Sequence, residues 1–451
     1  MGLKLGEALR LFGHTGPSDV SAAAEGIAFV GAGGKTAAVF ALARESPTPA
    51  FVTSTTHFGA WQTELADRHV IANSLADLRS LEDAGITLIT GPFGRDERSQ
   101  PVAPEVLLGL RAASISRGRP LLIEADGARQ KPLKAPADNE PPIPDFVAMV
   151  VVVAGMSGLG KPLTAEVVHH PEIFASLSGL QIGQPISSQA LARVLAHRQG
   201  GLKNIPLRAR HSVLLSQADT PELQSEANGL APALLKDFDS VVVVSLQGQA
   251  MHAVHESCAG VILAAGEASR FGQPKQLLDW RGRPFVQAVA VSALDAGLSP
   301  VIVVTGAAAE SVESALGNLP VMIARNTHWR DGQASSIQAG IATVPPAAGA
   351  AMFLLSDQPQ VTPQVIRALV EAHAAGLPPI VVPLIREERG GNPVLFDRST
   401  FADLLALRGD VGGRGIFSKH RVHYLPWHDS RLLLDVDTPE DYRRLIESDA
   451  E

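Results

Sequence analysis

Nine short apolar runs recur along the chain, and they are continuous rather than alternating. They are "GIAFVG" at 26–31, "AFVTST" at 50–55, "PLLIEADG" at 120–127, "FVAMVVVVAG" at 146–155, "SVVVVSL" at 240–246, "GVILAAG" at 260–266, "PVIVVTG" at 300–306, "AMFLLSD" at 351–357 and "PIVVPL" at 379–384. A strand with one wet face alternates, whereas a strand covered on both faces does not. The runs therefore predict strands of parallel or mixed sheets. Amphipathic helices are expected between them, at 183–199, 284–297, 307–317 and 363–375. Such alternation predicts α/β layering in both halves.

With 451 residues, 45% of them hydrophobic, the chain is long enough for two or three cores. The small, polar segment near 247–259 is the expected boundary, separating a domain at 1–250 from one at 259–451. The proline-rich stretch "PLKAPADNEPPIP" at 132–144 reads as a loop inside the first half. No repeat and no long low-complexity tract is evident. The net charge of −8 argues against a nonspecific nucleic-acid binder. A single cysteine, Cys258, excludes an intramolecular disulfide and a cysteine metal cluster. The start "MGLKLGEALRLFG" is too short and too charged for a signal peptide. No apolar run reaches the roughly 20 residues that cross a bilayer. A cytoplasmic protein with no membrane partner is expected.

In the second half, "VILAAGEASRFGQPKQLL" at 261–278 reads as a buried strand, a loop and a helix. Side chains are small or absent at 264–266, so a ligand can approach the backbone and meet its N–H groups. Arg270 adds a forked donor and Lys275 a mobile point charge. A nucleoside triphosphate uses all three features. "FLLSDQP" delivers Asp357 at the carboxyl end of a strand, where ligands gather in open α/β sheets. In "DVDTPED", Asp435 and Asp437 stand two residues apart and point alike if extended. Carboxylates of this kind suit Mg²⁺, with substrate phosphates completing the shell.

The string "LAAGEASRFGQPKQLLDWRGRP" closely resembles the signature of the molybdenum cofactor cytidylyltransferase family. The resemblance continues through "NTHWRDGQASSIQAG", "FLLSDQPQVT", "GGNPVLF", "LRGDVGGRGI" and "DVDTPEDYRRL", covering about 259–447. It implies a Rossmann-like nucleotidyltransferase domain with a mostly parallel mixed sheet, Mg²⁺, and CTP and Mo-molybdopterin as substrates. By the same resemblance Asp357 and Asp437 hold the metal, with Asp435 as substitute. Arg270 and Lys275 neutralise the triphosphate. Ala264, Ala265, Gly266, Ser335 and Ser336, with Gln333, line the sugar and base pocket. Asp410 and Arg414 meet the acceptor, and Gly391 and Pro393 shape the pocket wall. Gly390 stands where the family often has histidine. The first loop reads "LAAG" and "PKQ", like the family's CTP users, rather than "LAGG" and "DK".

In the first half, "FVGAGGKT" at 29–36 follows a strand and enters an apolar stretch, the context of a phosphate cradle at a helix start. Gly31, Gly33 and Gly34 provide close backbone, Lys35 a phosphate contact and Thr36 a metal contact. Phe29 stands where a regular P-loop has glycine. Glu124 and Asp126 end another strand and are expected near Lys35, as a Walker-B strand is. Lys131, Lys134, Thr55, Thr56 and His57 are further candidates for an anionic ligand. "GAGGKT", "TSTTH", "EADGARQKPLKAP" and "AGMSGLGKPL" resemble the YqeC-like accessory family of selenium-dependent molybdenum hydroxylases, over roughly 15–245. That resemblance implies a P-loop-like domain, a second bound nucleotide, and hydroxylases of the xanthine dehydrogenase type as partners. Of the family's guanine-reading string only Asp219 remains, in "SQAD" at 216–219.

The combined reading is a bifunctional cofactor-maturation protein. Three other readings fit the same residues: a nucleotidyltransferase with another base or phosphorylated acceptor, a noncatalytic cofactor chaperone, and a first half that serves only for docking.

Overall fold

The computed structural model describes residues 2–12, 23–81, 85–95, 97–267, 273–385 and 388–447. It divides into two units, Met1–His255 and Glu256–Glu451. Both are mixed α/β with mostly parallel sheets, as the continuous runs require.

The main sheet of the first unit has nine described strands: β1 (Ile27–Gly31), β2 (Ala50–Ser54), β3 (Arg68–Ile71), β4 (Ile86–Thr90), β5 (Leu121–Glu124), β6 (Met149–Gly155), β7 (Arg210–Ser216), β8 (Ser240–Ser245) and β9 (Ala250–Glu256). Their spatial order is β9-β8-β7-β6-β1-β5-β2-β4-β3. β1 pairs in parallel with β5 on one side and β6 on the other. β6 is valine-rich and buried along its whole length, which suits a strand covered on both faces.

The main sheet of the second unit has eight described strands: β10 (Cys258–Ala264), β11 (Val301–Thr305), β12 (Met322–Arg325), β13 (Ala350–Leu355), β14 (Ile380–Ile385), β15 (Glu388–Arg389), β16 (Val394–Asp397) and β17 (Val422–Trp427). The order is β12-β11-β10-β13-β16-β14-β15, with β17 beside β14. β10 pairs in parallel with β11 and β13, while β16 runs antiparallel to β13 and β14.

Four expectations change. The segment near 247–259 does contain the division between the units, after His255, but it is structured: it forms the edge strand β9 and the start of the central strand β10, with only Ser257 between them. Of β9 only Ala253 and Val254 are buried, so an edge strand with polar partners looks polar in sequence. The helix expected at 183–199 is confined to Ser188–Leu195, because the Ser187 side chain caps it and Pro185 is tied into a bridge with Pro162. Within the loop 132–144, Leu133–Lys134 pairs with Val168–His169 as a small parallel ribbon. The loop after β10 leads not into a long helix but into a single 3-10 turn, Lys275–Leu277. The other helices, Phe285–Asp295, Ala309–Leu316 and Pro363–Ala374, lie within the expected windows. Among the described residues no helix is long and apolar enough to cross a membrane.

The helix Gln333–Thr343 lies close on β10 and β11 because position 340 has no side chain. A Cβ at Gly340 would stand 2.5 Å from Val261 Cγ1 and 3.3 Å from Val304 Cγ2. Alanine has the better helix propensity by about 1 kcal/mol, but overpacking costs about 1–3 kcal/mol. Gly340→Ala is therefore expected to lower stability, read as a lower urea midpoint with an unchanged slope.

Candidate functional site

In the second unit, parallel pairing brings the ends of β10 and β13 to one edge of the sheet. Leu263 is opposite Leu355, and Ser356 N–H donates to Leu263 O at 3.2 Å. Beyond this edge opens a cleft of about 860 Å³, lined among others by Ala265, Gly266, Lys275, Gln333, Ser336, Asp357 and Asp410. A Cβ at Gly266 would meet no atom within 4 Å, so the fold itself does not demand glycine there. Its bareness keeps the cleft floor open. Ala264 is buried beneath the floor and lines no part of it. Arg270 lies outside the described residues.

Lys275 opens the 3-10 turn and places Nζ 2.5 Å from Asp437 Oδ1. Gln358 donates to Asp435 Oδ1 at 2.5 Å, so the two acids of the later segment are engaged by different partners. Asp357 is partly buried, and its carboxyl is pushed up to about 6. Burial is the main cause; Lys275 opposes it, and Asp435 and Asp437 add to it. Three acids thus share the neighbourhood of one ammonium group, an arrangement with room for more positive charge. The Gln358 Oε1 and Gln276 Oε1 atoms are buried without a hydrogen-bond partner.

The structure separates the two serines. Ser336 lines the cleft, and its Oγ accepts from Asn326 at 3.0 Å. Ser335 faces a different hollow of about 480 Å³ and has Gly332 O, His328 O and Asn326 as partners. Ser335 is thus a turn-forming residue rather than a cleft residue. Asp410 Oδ1 accepts from Gln333 N–H at 3.3 Å and so occupies the start of the helix Gln333–Thr343. Arg414 donates to Gly390 O at 3.1 Å and does not line the cleft. A Cβ at Gly390 would meet Pro383 O at 1.9 Å, so this backbone admits no side chain there.

Three amides escaped the sequence reading. Gln276 donates to Gly266 O at 3.1 Å, and Asn326 and Gln358 hold Ser336 and Asp435. Their only signal is position: Gln276 and Gln358 directly follow Lys275 and Asp357.

In the first unit, the turn after β1 carries Gly31, Gly33 and Gly34 at positive φ, and the helix Lys35–Glu45 follows. At Gly33 a Cβ would meet Gly155 N at 2.5 Å, so close backbone packing enforces glycine there. Lys35 is buried, 3.2 Å from Asp126 Oδ1 and 2.6 Å from Gly31 O. Thr36 donates to Glu124 Oε2 at 2.8 Å. Burial pushes the Glu124 carboxyl up, against the pull of Lys35 and Thr36. The residues expected to form a Walker-like set therefore meet. Lys134 is spent internally: its Nζ lies 3.1 Å from Asp126 and 3.0 Å from Glu140. His57 is exposed and bonded to Arg98 at 3.2 Å, and Asp219 accepts from Ser245.

A family profile described as the MobA-like NTP transferase domain matches residues 260–424, and one described as YqeC protein matches residues 27–172. The chain is 31% identical over 235 residues to the uncharacterized protein YqeC of Escherichia coli K12, covering 49% of this chain and 87% of that protein. It is 32% identical over 200 residues to nicotine blue oxidoreductase of Paenarthrobacter nicotinovorans, covering 42% of this chain and 95% of that protein. It is 24% identical over 195 residues to a probable molybdenum cofactor guanylyltransferase of Bacillus mycoides, covering 41% and 94% respectively.

The raised Asp357 has a consequence for stability. Its folded pKa lies above the unfolded one, so its favourable contribution is present at low pH and is lost as pH rises through about 6. Asp357→Asn removes the charge. Calorimetry of the metal-free protein is expected to show an unfolding midpoint raised by about 2–4 °C at neutral pH, with a flatter profile between the ordinary carboxylate range and neutrality.

Proposed function

The chain belongs to the YqeC family in its N-terminal half and carries a MobA-like nucleotidyltransferase domain in its C-terminal half, and from that premise we propose that it is a bifunctional molybdenum cofactor maturation protein. The C-terminal unit transfers CMP from CTP to the terminal phosphate of Mo-molybdopterin, and pyrophosphate leaves. The observation that carries this reading is the gathering of Gly266, Lys275 and Asp357 around one cleft, with Asp437 on Lys275.

The chemistry asks little of the protein beyond charge and position. The attacking phosphate monoester has a second pKa of about 6, so it arrives largely ionised and needs no protein nucleophile. Gly266 leaves space for the triphosphate to lie against the β10 edge. Lys275, drawn away from Asp437, neutralises the polyphosphate as negative charge passes to the leaving pyrophosphate. Asp357 and Asp437, with Asp435 as substitute, are the donors that fit Mg²⁺. That ion supplies charge neutralisation of the phosphates when bound. Ser336 and Gln333 are assigned to the nucleotide and Asp410, at the same cleft, to the acceptor, while Arg414 acts only through the Gly390 backbone it holds.

The choice of CTP rests on the "LAAG" and "PKQ" strings. The guanylyltransferase relative makes GTP the nearest rival. The oxidoreductase relative raises redox chemistry as another. The N-terminal unit binds a second nucleotide through Gly33, Gly34, Lys35 and Thr36, and serves molybdenum hydroxylases of the xanthine dehydrogenase type.

Purified protein incubated with Mg²⁺, molybdopterin and each of CTP and GTP is expected to release pyrophosphate with CTP, giving a product heavier by CMP in mass spectrometry. Activity with GTP alone would reject the assignment. Lys275→Ala is expected to lower kcat by about 10²-fold, and the double variant Asp357→Ala, Asp437→Ala to abolish turnover. Lys35→Ala is expected to leave CTP turnover within about twofold while removing one of two nucleotide-binding events in calorimetric titration, a loss of at least about tenfold in affinity. Unchanged titration would remove the N-terminal cradle.

A further inference from the structure

The first unit also gathers two histidines and a glutamate. Pairing of Leu133–Lys134 with Val168–His169 sets Lys134 opposite His169. His170 follows at φ +62°, ahead of the helix Pro171–Ser178, and its ring stacks on that of His169 with centroids 3.9 Å apart. Glu140 reaches the same place from the preceding proline-rich loop, its Oε2 lying 3.5 Å from His170 Nε2. One ligand atom from each of Glu140, His169 and His170 falls within 4.8 Å of the others, the one such group among the described residues.

We propose that Glu140, His169 and His170 bind a divalent transition-metal cation of the zinc class. Two imidazoles and one carboxylate form a borderline donor set that favours Zn²⁺, Co²⁺ or Fe²⁺ over Mg²⁺ and Ca²⁺, which take oxygen shells. Around a tetrahedral ion with bonds of 2.0–2.1 Å such atoms stand roughly 3.3 Å apart, so modest side-chain rotations close the site. The two rings already stack, so a nitrogen of each lies close to the Glu140 carboxylate. The carboxylate is already oriented: Lys134 Nζ at 3.0 Å and Ala137 N–H at 3.1 Å both hold Oε2, as outer-shell partners hold metal-bound carboxylates. Lys134 also leans on Asp126, so its charge is balanced before a cation arrives. His170 is 33% and Glu140 20% exposed, which leaves an open coordination position toward solvent. Three protein ligands with an open position mark a site for water or a ligand rather than a closed structural site. Through Lys134 and Asp126 it connects with Lys35 of the phosphate cradle.

The test is titration of the full chain with Co²⁺ in excess Mg²⁺, which occupies the oxygen-rich acids and leaves the nitrogen site to cobalt. An intense visible absorption band saturating at one equivalent, and bleached by Zn²⁺, is expected. Glu140→Gln and His170→Asn should each weaken Co²⁺ binding by at least about tenfold. Asparagine tolerates positive φ, so the second variant removes a ligand without new backbone strain and should keep the wild-type unfolding midpoint. Absence of an intense band in the wild-type protein, or a band that persists in both variants, would overturn the site.

Discussion

The parallel pairing of β10 with β13 is the constraint on which the C-terminal site depends. Six consecutive pairs, from Cys258 opposite Ala350 to Leu263 opposite Leu355, lock the two strands in register. Parallel strands in register end together, so the turn at Gly266 and the acid Asp357 emerge side by side. β11 ends at the same edge, with Thr305 opposite Ala264. A one-residue slip would send every buried side chain to the opposite face, where the close packing does not match it, and would carry Asp357 away from Gly266. The core therefore holds the site geometry, and the polar residues have only to stand at the strand ends.

The N-terminal unit applies the same rule with a different loading of charge. β1 lies between β5 and β6, and their carboxyl ends bring Lys35, Glu124 and Asp126 together beneath a glycine turn. Lys35, Lys134 and Asp126 are nearly or fully buried. Buried ion pairs are weak contributors to stability, because desolvation offsets much of their attraction. A hydrophobic substitute would serve a purely structural role at least as well. Two lysines thus stand around one buried aspartate at the carboxyl edge of a parallel sheet, where Lys134 also holds Glu140.

Much of this was legible in the sequence for a physical reason. Continuous apolar runs such as "MVVVVAG" have few solutions other than a doubly covered strand. The residues at the ends of such runs must lie at one edge of a sheet, which is why the positions of Asp357, Gly266, Lys35 and Glu124 are readable from sequence. Residues whose roles arise from distant partners were less visible. Ser335 and Ser336 are adjacent in sequence, yet the helical turn sends one to the cleft and the other to the hollow behind. Edge strand β9 reads in sequence as a polar boundary segment rather than a strand because most of its side chains are half exposed.

Local pattern thus determined the element types, the two α/β layers and the strand-end positions of the chemistry, because burial and backbone freedom act over a few neighbouring residues. Tertiary structure alone decided which charges meet. Lys275 and Asp437 are joined across 162 positions, and Gln358 and Asp435 across 77. Glu140 and the two histidines converge only because a two-residue ribbon and a proline-rich loop fold onto one another. Contacts of this kind follow from strand order and register, which no local window of sequence contains.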